Sequence, residues 1–134
     1  MNALLVDTNV ILDLFLDDPD WADWSEMMLT RYGKTHELII NPIIYTEVSI
    51  GFARIEELEA AIARAGFRMQ ELPREALFLA GKVFLQYKRN AGKKASPLPD
   101  FFIGAHAAVL KLDLMTRDTA RYRTYFPTVN LISP

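Results

Sequence analysis

No cysteine occurs anywhere in the 134 residues. That excludes a disulfide framework and any thiolate zinc site, and it makes a reducing cytoplasm the default compartment. No apolar run approaches the ~18 residues of a membrane span. The N-terminus lacks the basic region, apolar segment and small-residue cleavage site of a secretory signal. The expectation is therefore a soluble, cytosolic protein without a membrane partner. Walker-type and dinucleotide-type glycine loops are missing, as is a nucleophilic serine with a neighbouring His and Asp. There is no internal repeat, low-complexity tract or linker. With 51% hydrophobic residues, the chain has the content of one compact domain over residues 1–134 and no room for a second.

What is present is unevenly charged. The net charge of −2 divides into −8 from Met1 to Phe67, with 12 acidic against 4 basic residues, and +6 from Arg68 to Pro134, with 5 against 11. An acidic centre beside a basic surface suits a protein that holds cations and touches a polyanion.

Five β-like segments alternate with helical ones: Ala3 to Val6, Leu38 to Ile40, Arg68 to Leu72, Leu112 to Thr116 and Val129 to Ile132. Such alternation predicts an α/β fold in three layers, with a mainly parallel five-stranded sheet covered by helices on both faces. In "NPIIYTEVSIGF", Asn41 is placed to cap a helix with Pro42 at its first position. "RIEELEAAIARAGF" sets Ile55, Leu58 and Ile62 on one face and stops at Gly66. A longer helix runs from Pro73 towards Gly92, and "LPDFFIGAHAAVLKL" follows a loop containing Pro97 and Pro99.

Ligands of open α/β sheets bind beyond the carboxyl ends of the strands. Asp7 stands there after the first strand, in "ALLVDTNVILDLF", with Asn9 able to hold its carboxylate. Asp118, in "LMTRDTARYRTYF", stands two residues past the fourth strand. Asp100 lies in the first turn of a helix, where free N–H groups favour an ionised carboxylate. Glu47 lies in a strongly apolar helix and needs a partner, because an isolated buried charge is costly. Each alone reads as readily as a cap or a solvated side chain; their convergence on one sheet edge is what points to chemistry.

Together, "LLVDTNV", "NPIIYTEV", "PDFFIGAHA" and "LMTRDTARYRTYF" resemble, in order and over nearly the whole chain, the PIN domain family, specifically the toxins of bacterial and archaeal VapBC toxin–antitoxin pairs. The resemblance implies that Asp7, Glu47, Asp100 and Asp118 form an acidic Mg²⁺ or Mn²⁺ site, supported by Asn9 and Thr116. It also implies endoribonuclease activity on structured RNA (transfer RNA or ribosomal RNA), a cognate antitoxin and a homodimer.

The physical chemistry agrees with a cation. Two carboxylates ~4 Å apart repel by about 4 kcal/mol at an effective dielectric near 20, so four ionised ones need protonation or a divalent ion. An all-oxygen set without Cys or nearby His favours Mg²⁺ or Mn²⁺ over zinc. Asp7 and Asp100 are the expected direct ligands. Glu47 and Asp118 would hold coordinated waters, bind a second ion or accept the nucleophile's proton; one or two ions remain open. Lys88, Arg89, Lys93 and Lys94 precede Asp100, while Arg117, Arg121 and Arg123 surround Asp118, so phosphate contacts are expected above all from Lys93, Lys94, Arg117 and Arg121. Ile43, Ile44, Phe52 and Ile55 are expected to line a groove for an antitoxin helix.

Two other functions compete. A phosphatase or phosphoacceptor domain also places an Asp after the first strand, but commonly with a second Asp where this chain has Asn9. A catalytically silent binding module is disfavoured by the complete acidic set. Other residues read as structural. Asp13, Asp17, Asp18, Asp20 and Asp23 suit helix ends and solvent around Pro19, and Trp21 and Trp24 suit packing in a core or interface. His106 reads as a hydrogen-bonded core or interface histidine and His36 as a loop residue.

Overall fold

Leu4, Leu5 and Val6 lose all exposure to solvent, as consecutive apolar residues must when a strand is covered on both faces. The computed structural model, which describes residues 2–90 and 98–134, places them in β1 (Asn2–Val6). Then come α1 (Thr8–Phe15), α2 (Ala22–Gly33), β2 (His36–Ile40), α3 (Pro42–Ser49), α4 (Ile55–Ala65) and β3 (Arg68–Met69). The second half adds α5 (Arg74–Asn90), α6 (Leu98–Leu110), β4 (Asp113–Met115), α7 (Ala120–Tyr125) and β5 (Leu131–Ile132).

All five expected strands form, pairing in the order β3-β2-β1-β4-β5, with every pairing parallel. The chain moves from β1 outward through β2 to β3, then crosses back to β4 and β5. The order thus reverses beside β1, at the crevice where such sheets bind ligands. Helix α1 packs on α2 and α3, whereas α6 packs on α5, α7 and β4, which gives the outer layers of an α/β/α sandwich. No helix among the described residues is long and apolar enough to cross a membrane.

Local signals act where the residues dictate. The Asn41 side chain accepts the Ile44 N–H at 2.9 Å, capping α3 behind Pro42, and Gly66 ends α4 at φ 79°, a left-handed conformation that suits a residue without Cβ. The edge strands are shorter than their β-like sequence, two residues each in β3 and β5. Both borders still continue the hydrogen bonding, as Gln70 N–H donates to the Ile40 carbonyl at 2.8 Å and Thr116 N–H to Ile132 at 3.0 Å. His36 opens β2 instead of lying in a loop.

One expectation about the surface is corrected. Ile44 is wholly buried, because the cap that binds its N–H also aims its side chain at the core, so it is unavailable to a docking helix. Ile43 and Phe52 are half-buried, and Ile55 is exposed.

The α6 helix approaches α7 closely enough that a Cβ on Gly104 would stand 2.3 and 2.4 Å from two ring carbons of Phe126. Alanine ordinarily stabilises a helix by up to ~1 kcal/mol over glycine. Overpacking costs about 1–3 kcal/mol and reverses the sign here. Gly104→Ala is expected to lower the urea-unfolding free energy by about 1–2 kcal/mol; an unchanged or raised midpoint would show that Phe126 yields freely.

Candidate active site at the carboxyl edge of the sheet

Asp7 leaves β1 by donating its N–H to the Met115 carbonyl at 2.9 Å, so it sits in line with Thr116 at the end of β4. Its extended backbone makes it the N-cap of α1, with Oδ1 accepting the Thr8 N–H at 2.7 Å. Oδ2 accepts the Thr116 hydroxyl at 2.8 Å and the Tyr122 hydroxyl at 3.0 Å. The Asn9 amide reaches the same oxygen only at 3.5 Å. The Thr116 hydroxyl has one proton, spent on this carboxylate, and its oxygen in turn accepts the Asp118 N–H at 3.1 Å. Thr116 therefore joins Asp7 to the loop that carries Asp118.

Asp7 is 4% exposed, and no ion pair found among the described residues includes it. Burial pushes its pKa up to about 6 from 3.8, assisted by the negative charge of Asp100 and resisted by the bonds from Thr116, Tyr122 and Thr8. Asp100, in the first turn of α6, is also raised, first by burial, while Arg121 opposes the rise and Asp118 adds to it. The Tyr122 phenol is held neutral, by burial first and then by Asp7, Asp100 and Asp118. Three of the four expected carboxylates thus act on one buried hydroxyl. Glu47 joins through Thr8, whose hydroxyl donates to Oε1 at 2.6 Å while its N–H caps onto Asp7.

The carboxylates share a sheet edge without enclosing a cation: among the described residues no three His, Asp or Glu side chains are grouped closely enough to hold one. Arg121 pairs with one of these carboxylates, its Nη1 lying 2.5 Å from Asp100 Oδ2.

The basic residues divide. Lys93 and Lys94 lie outside the described residues. Arg117 has a structural engagement where a phosphate contact was expected: Nε and Nη2 bond the Asp13 carboxylate at 2.7 and 2.9 Å, and its guanidinium lies 4.9 Å from the Trp21 ring centroid. Asp13 itself is buried, not solvated. Ser25 donates to it at 2.9 Å, and the Arg117 N–H bonds Asn9 Oδ1 at 3.2 Å. Trp21 and Trp24 meet edge to face at 6.1 Å.

His106 is fully buried, with Nδ1 3.0 Å from Asn41 Nδ2 and its pKa pushed down to about 4 by burial. It is a neutral core residue. The residues that sequence reasoning missed are Thr8, Asp13 and Tyr122. Tyr122 had one available signal, its place four residues beyond Asp118 in a helix packed behind the site.

A family model of the PIN domain matches residues 4–127. The chain belongs to the PIN domain family. This PIN domain is similar in fold to a chain of VapBC2 from Rickettsia felis, solved bound to a DNA fragment from its promoter, at TM-score 0.75, 16% identity and 98% coverage of both chains. It is similar also to a chain of a Klebsiella pneumoniae toxin–antitoxin complex, at TM-score 0.69, 23% identity and 95% of both chains. A third likeness is to FitAcB from Neisseria gonorrhoeae, at TM-score 0.64, 19% identity and 96% of both chains. No curated protein matches the sequence.

Proposed function

We propose that this PIN domain is a Mg²⁺- or Mn²⁺-dependent endoribonuclease, the VapC-type toxin of a cytoplasmic toxin–antitoxin pair, hydrolysing structured RNA such as transfer RNA or ribosomal RNA. The observation that carries the reading is Asp7. A carboxylate this buried, at the reversal point of a parallel sheet, has four neutral donors and, among the described residues, no ion pair, with Asp100 raising its pKa further. Such a group is unstable as an anion until a positive charge reaches it. The donors at hand are all oxygens, the set that suits a hard divalent ion.

Asp7 and Asp100 would hold the ion directly, with Glu47 and Asp118 at its margin. When bound, the metal supplies Lewis acidity towards a phosphate and lowers the pKa of a water. The chain's own residues do the positioning. Thr116 and Tyr122 fix Asp7 Oδ2, Thr8 fixes both Asp7 Oδ1 and Glu47, and Glu47 and Asp118 are the available acceptors for a proton leaving the attacking water. With water as nucleophile and the 3′-oxygen as leaving group, the products carry a 5′-phosphate and a 3′-hydroxyl.

The partners follow the same reading. A groove of about 660 Å³ opens between α1 and α4, lined by Leu14, Phe15, Phe52, Ala60, Ala61 and Ala65 among others, and it suits the apolar face of an antitoxin helix. Exposed Leu77, Phe78 and Leu85 on α5 give a homodimer an apolar stripe to cover.

Purified protein incubated with total RNA should cut it with Mg²⁺ or Mn²⁺ and leave it intact with EDTA, and the new 5′ ends should ligate as phosphates. Cleavage that survives EDTA, or 2′,3′-cyclic phosphate ends, would overturn the metal-activated water.

A further inference from the structure

The ion pair between Arg121 and Asp100 is half-buried at the edge of the site. Four observations bear on it. Arg121 Nη1 lies 2.5 Å from Asp100 Oδ2, with the two side chains 34% and 26% exposed. The pair is therefore shielded more than a surface salt bridge, whose contribution is close to nothing. The oxygen it takes belongs to one of the two residues read above as direct ligands. Arg121 is the second residue of α7, one before Tyr122, so the helix that supplies the hydroxyl to Asp7 also carries the guanidinium to Asp100. Finally, Asp100 also feels the negative charge of Asp118, which the guanidinium opposes.

We propose that Arg121 is a built-in counter-ion that competes with the divalent cation for Asp100. The inference rests on the metal-site reading given above. A guanidinium always carries its charge, so the competition does not depend on pH. It neutralises Asp100 when no metal is bound and must release Oδ2 before a metal can use it. Affinity for a ligand that binds only the open form falls by the fraction of molecules that are open. An ion pair closed about nine-tenths of the time thus weakens cation binding about tenfold. The site then fills at higher Mg²⁺ or Mn²⁺ concentration than its carboxylates alone would require.

The test is direct titration with Mn²⁺ alone, followed by calorimetry and by the loss of free-ion electron paramagnetic resonance signal. The full chain would be compared with Arg121→Gln, Arg121→Lys and Lys82→Gln, each checked for native far-UV circular dichroism. Arg121→Gln should bind Mn²⁺ about five- to tenfold more tightly than the unmodified chain. Arg121→Lys, which keeps a competing charge, should stay within about threefold of the unmodified chain, since a lysine replaces the planar fork with a point charge. Lys82→Gln removes the same charge from α5, and its affinity should not change. Equal affinity in Arg121→Gln and the unmodified chain would overturn the competition while leaving the metal site standing. An equal gain in Lys82→Gln would overturn it too, by reducing the effect to net charge. If none of the four proteins binds Mn²⁺, the metal-site reading itself falls and the competition with it.

Discussion

Replacing Asp13 by alanine should destabilise this PIN domain by about 3 kcal/mol and lower its melting temperature by roughly 10 °C. The carboxylate is 2% exposed and takes three hydrogen bonds, two from Arg117 and one from Ser25. Removing one partner of a buried ion pair typically costs about 3–5 kcal/mol, because the other charge stays behind without compensation. The lower end applies here: the Arg117 side chain is 26% exposed and can recover part of its hydration. Against the ~5–15 kcal/mol of total stability usual for a domain, the loss is large. It should also reach the site, since Arg117 lies between Thr116 and Asp118 and its N–H holds Asn9. The double variant Asp13→Ala/Arg117→Ala should be less destabilised than the sum of the single ones, by about 1–3 kcal/mol of coupling. Additive losses in urea unfolding would show that the two charges act independently.

The fold was legible because strands and helices here obey local rules. "ALLV" reads as a doubly covered strand and is one; Asn41 before Pro42 reads as a cap and is one. The edge-strand limits were not legible. They depend on how far a neighbour extends: β3 pairs only where Ile39 and Ile40 offer partners. The places of Asp7 after β1, Asp100 in the first turn of α6 and Asp118 beyond β4 were legible, because motif order fixes which residues reach the carboxyl edge. What a motif does not fix is which charge meets which. Asp13 stands among five aspartates around Pro19, and nothing local distinguishes it from its solvated neighbours. Its partners come from elsewhere in the chain, Ser25 on α2 and Arg117, 104 residues later. The same distance hid the role of Arg117 itself, whose place beside Asp118 resembles a phosphate contact in sequence and a structural clamp in space. Tyr122 was hidden differently: its ring reads as core, which it is, and only its hydroxyl belongs to the site.

Asp7→Asn should slow RNA cleavage about a thousandfold and yet stabilise the metal-free protein at neutral pH. In the folded chain the Asp7 pKa lies at about 6 against an ordinary 3.8. Below 3.8 the group is protonated whether the chain is folded or not and costs nothing. Between the two values the folded form keeps a proton that the unfolded form has released, so stability falls as pH rises. Above about 6 both states are ionised and the full penalty of about 3 kcal/mol applies. An asparagine carries no charge and escapes this loss, although its amide cannot accept the Thr8 N–H and the Thr116 and Tyr122 hydroxyls together. Asparagine caps a helix as well as aspartate, so the cost is one lost hydrogen bond where its NH₂ faces a donor, about 1 kcal/mol, which leaves a net gain of about 2 kcal/mol at pH 7.5 and a net loss near pH 3.5. Urea unfolding of both proteins in EDTA isolates the effect of Asp7 and of its coupling to Asp100, because carboxylates remote from the site titrate alike in the two and cancel in their difference. A difference that stays flat from pH 3.5 to 7.5 would mean that Asp7 is an ordinary capping residue. Mn²⁺ should act in the opposite direction, stabilising the unmodified chain by binding its folded form and leaving the variant nearly unmoved. Several kcal/mol of transition-state charge stabilisation depend on a metal held at such a site, and losing about 4 kcal/mol slows cleavage about a thousandfold. The buried carboxylate that weakens the metal-free fold is, on this account, the one on which the reaction depends.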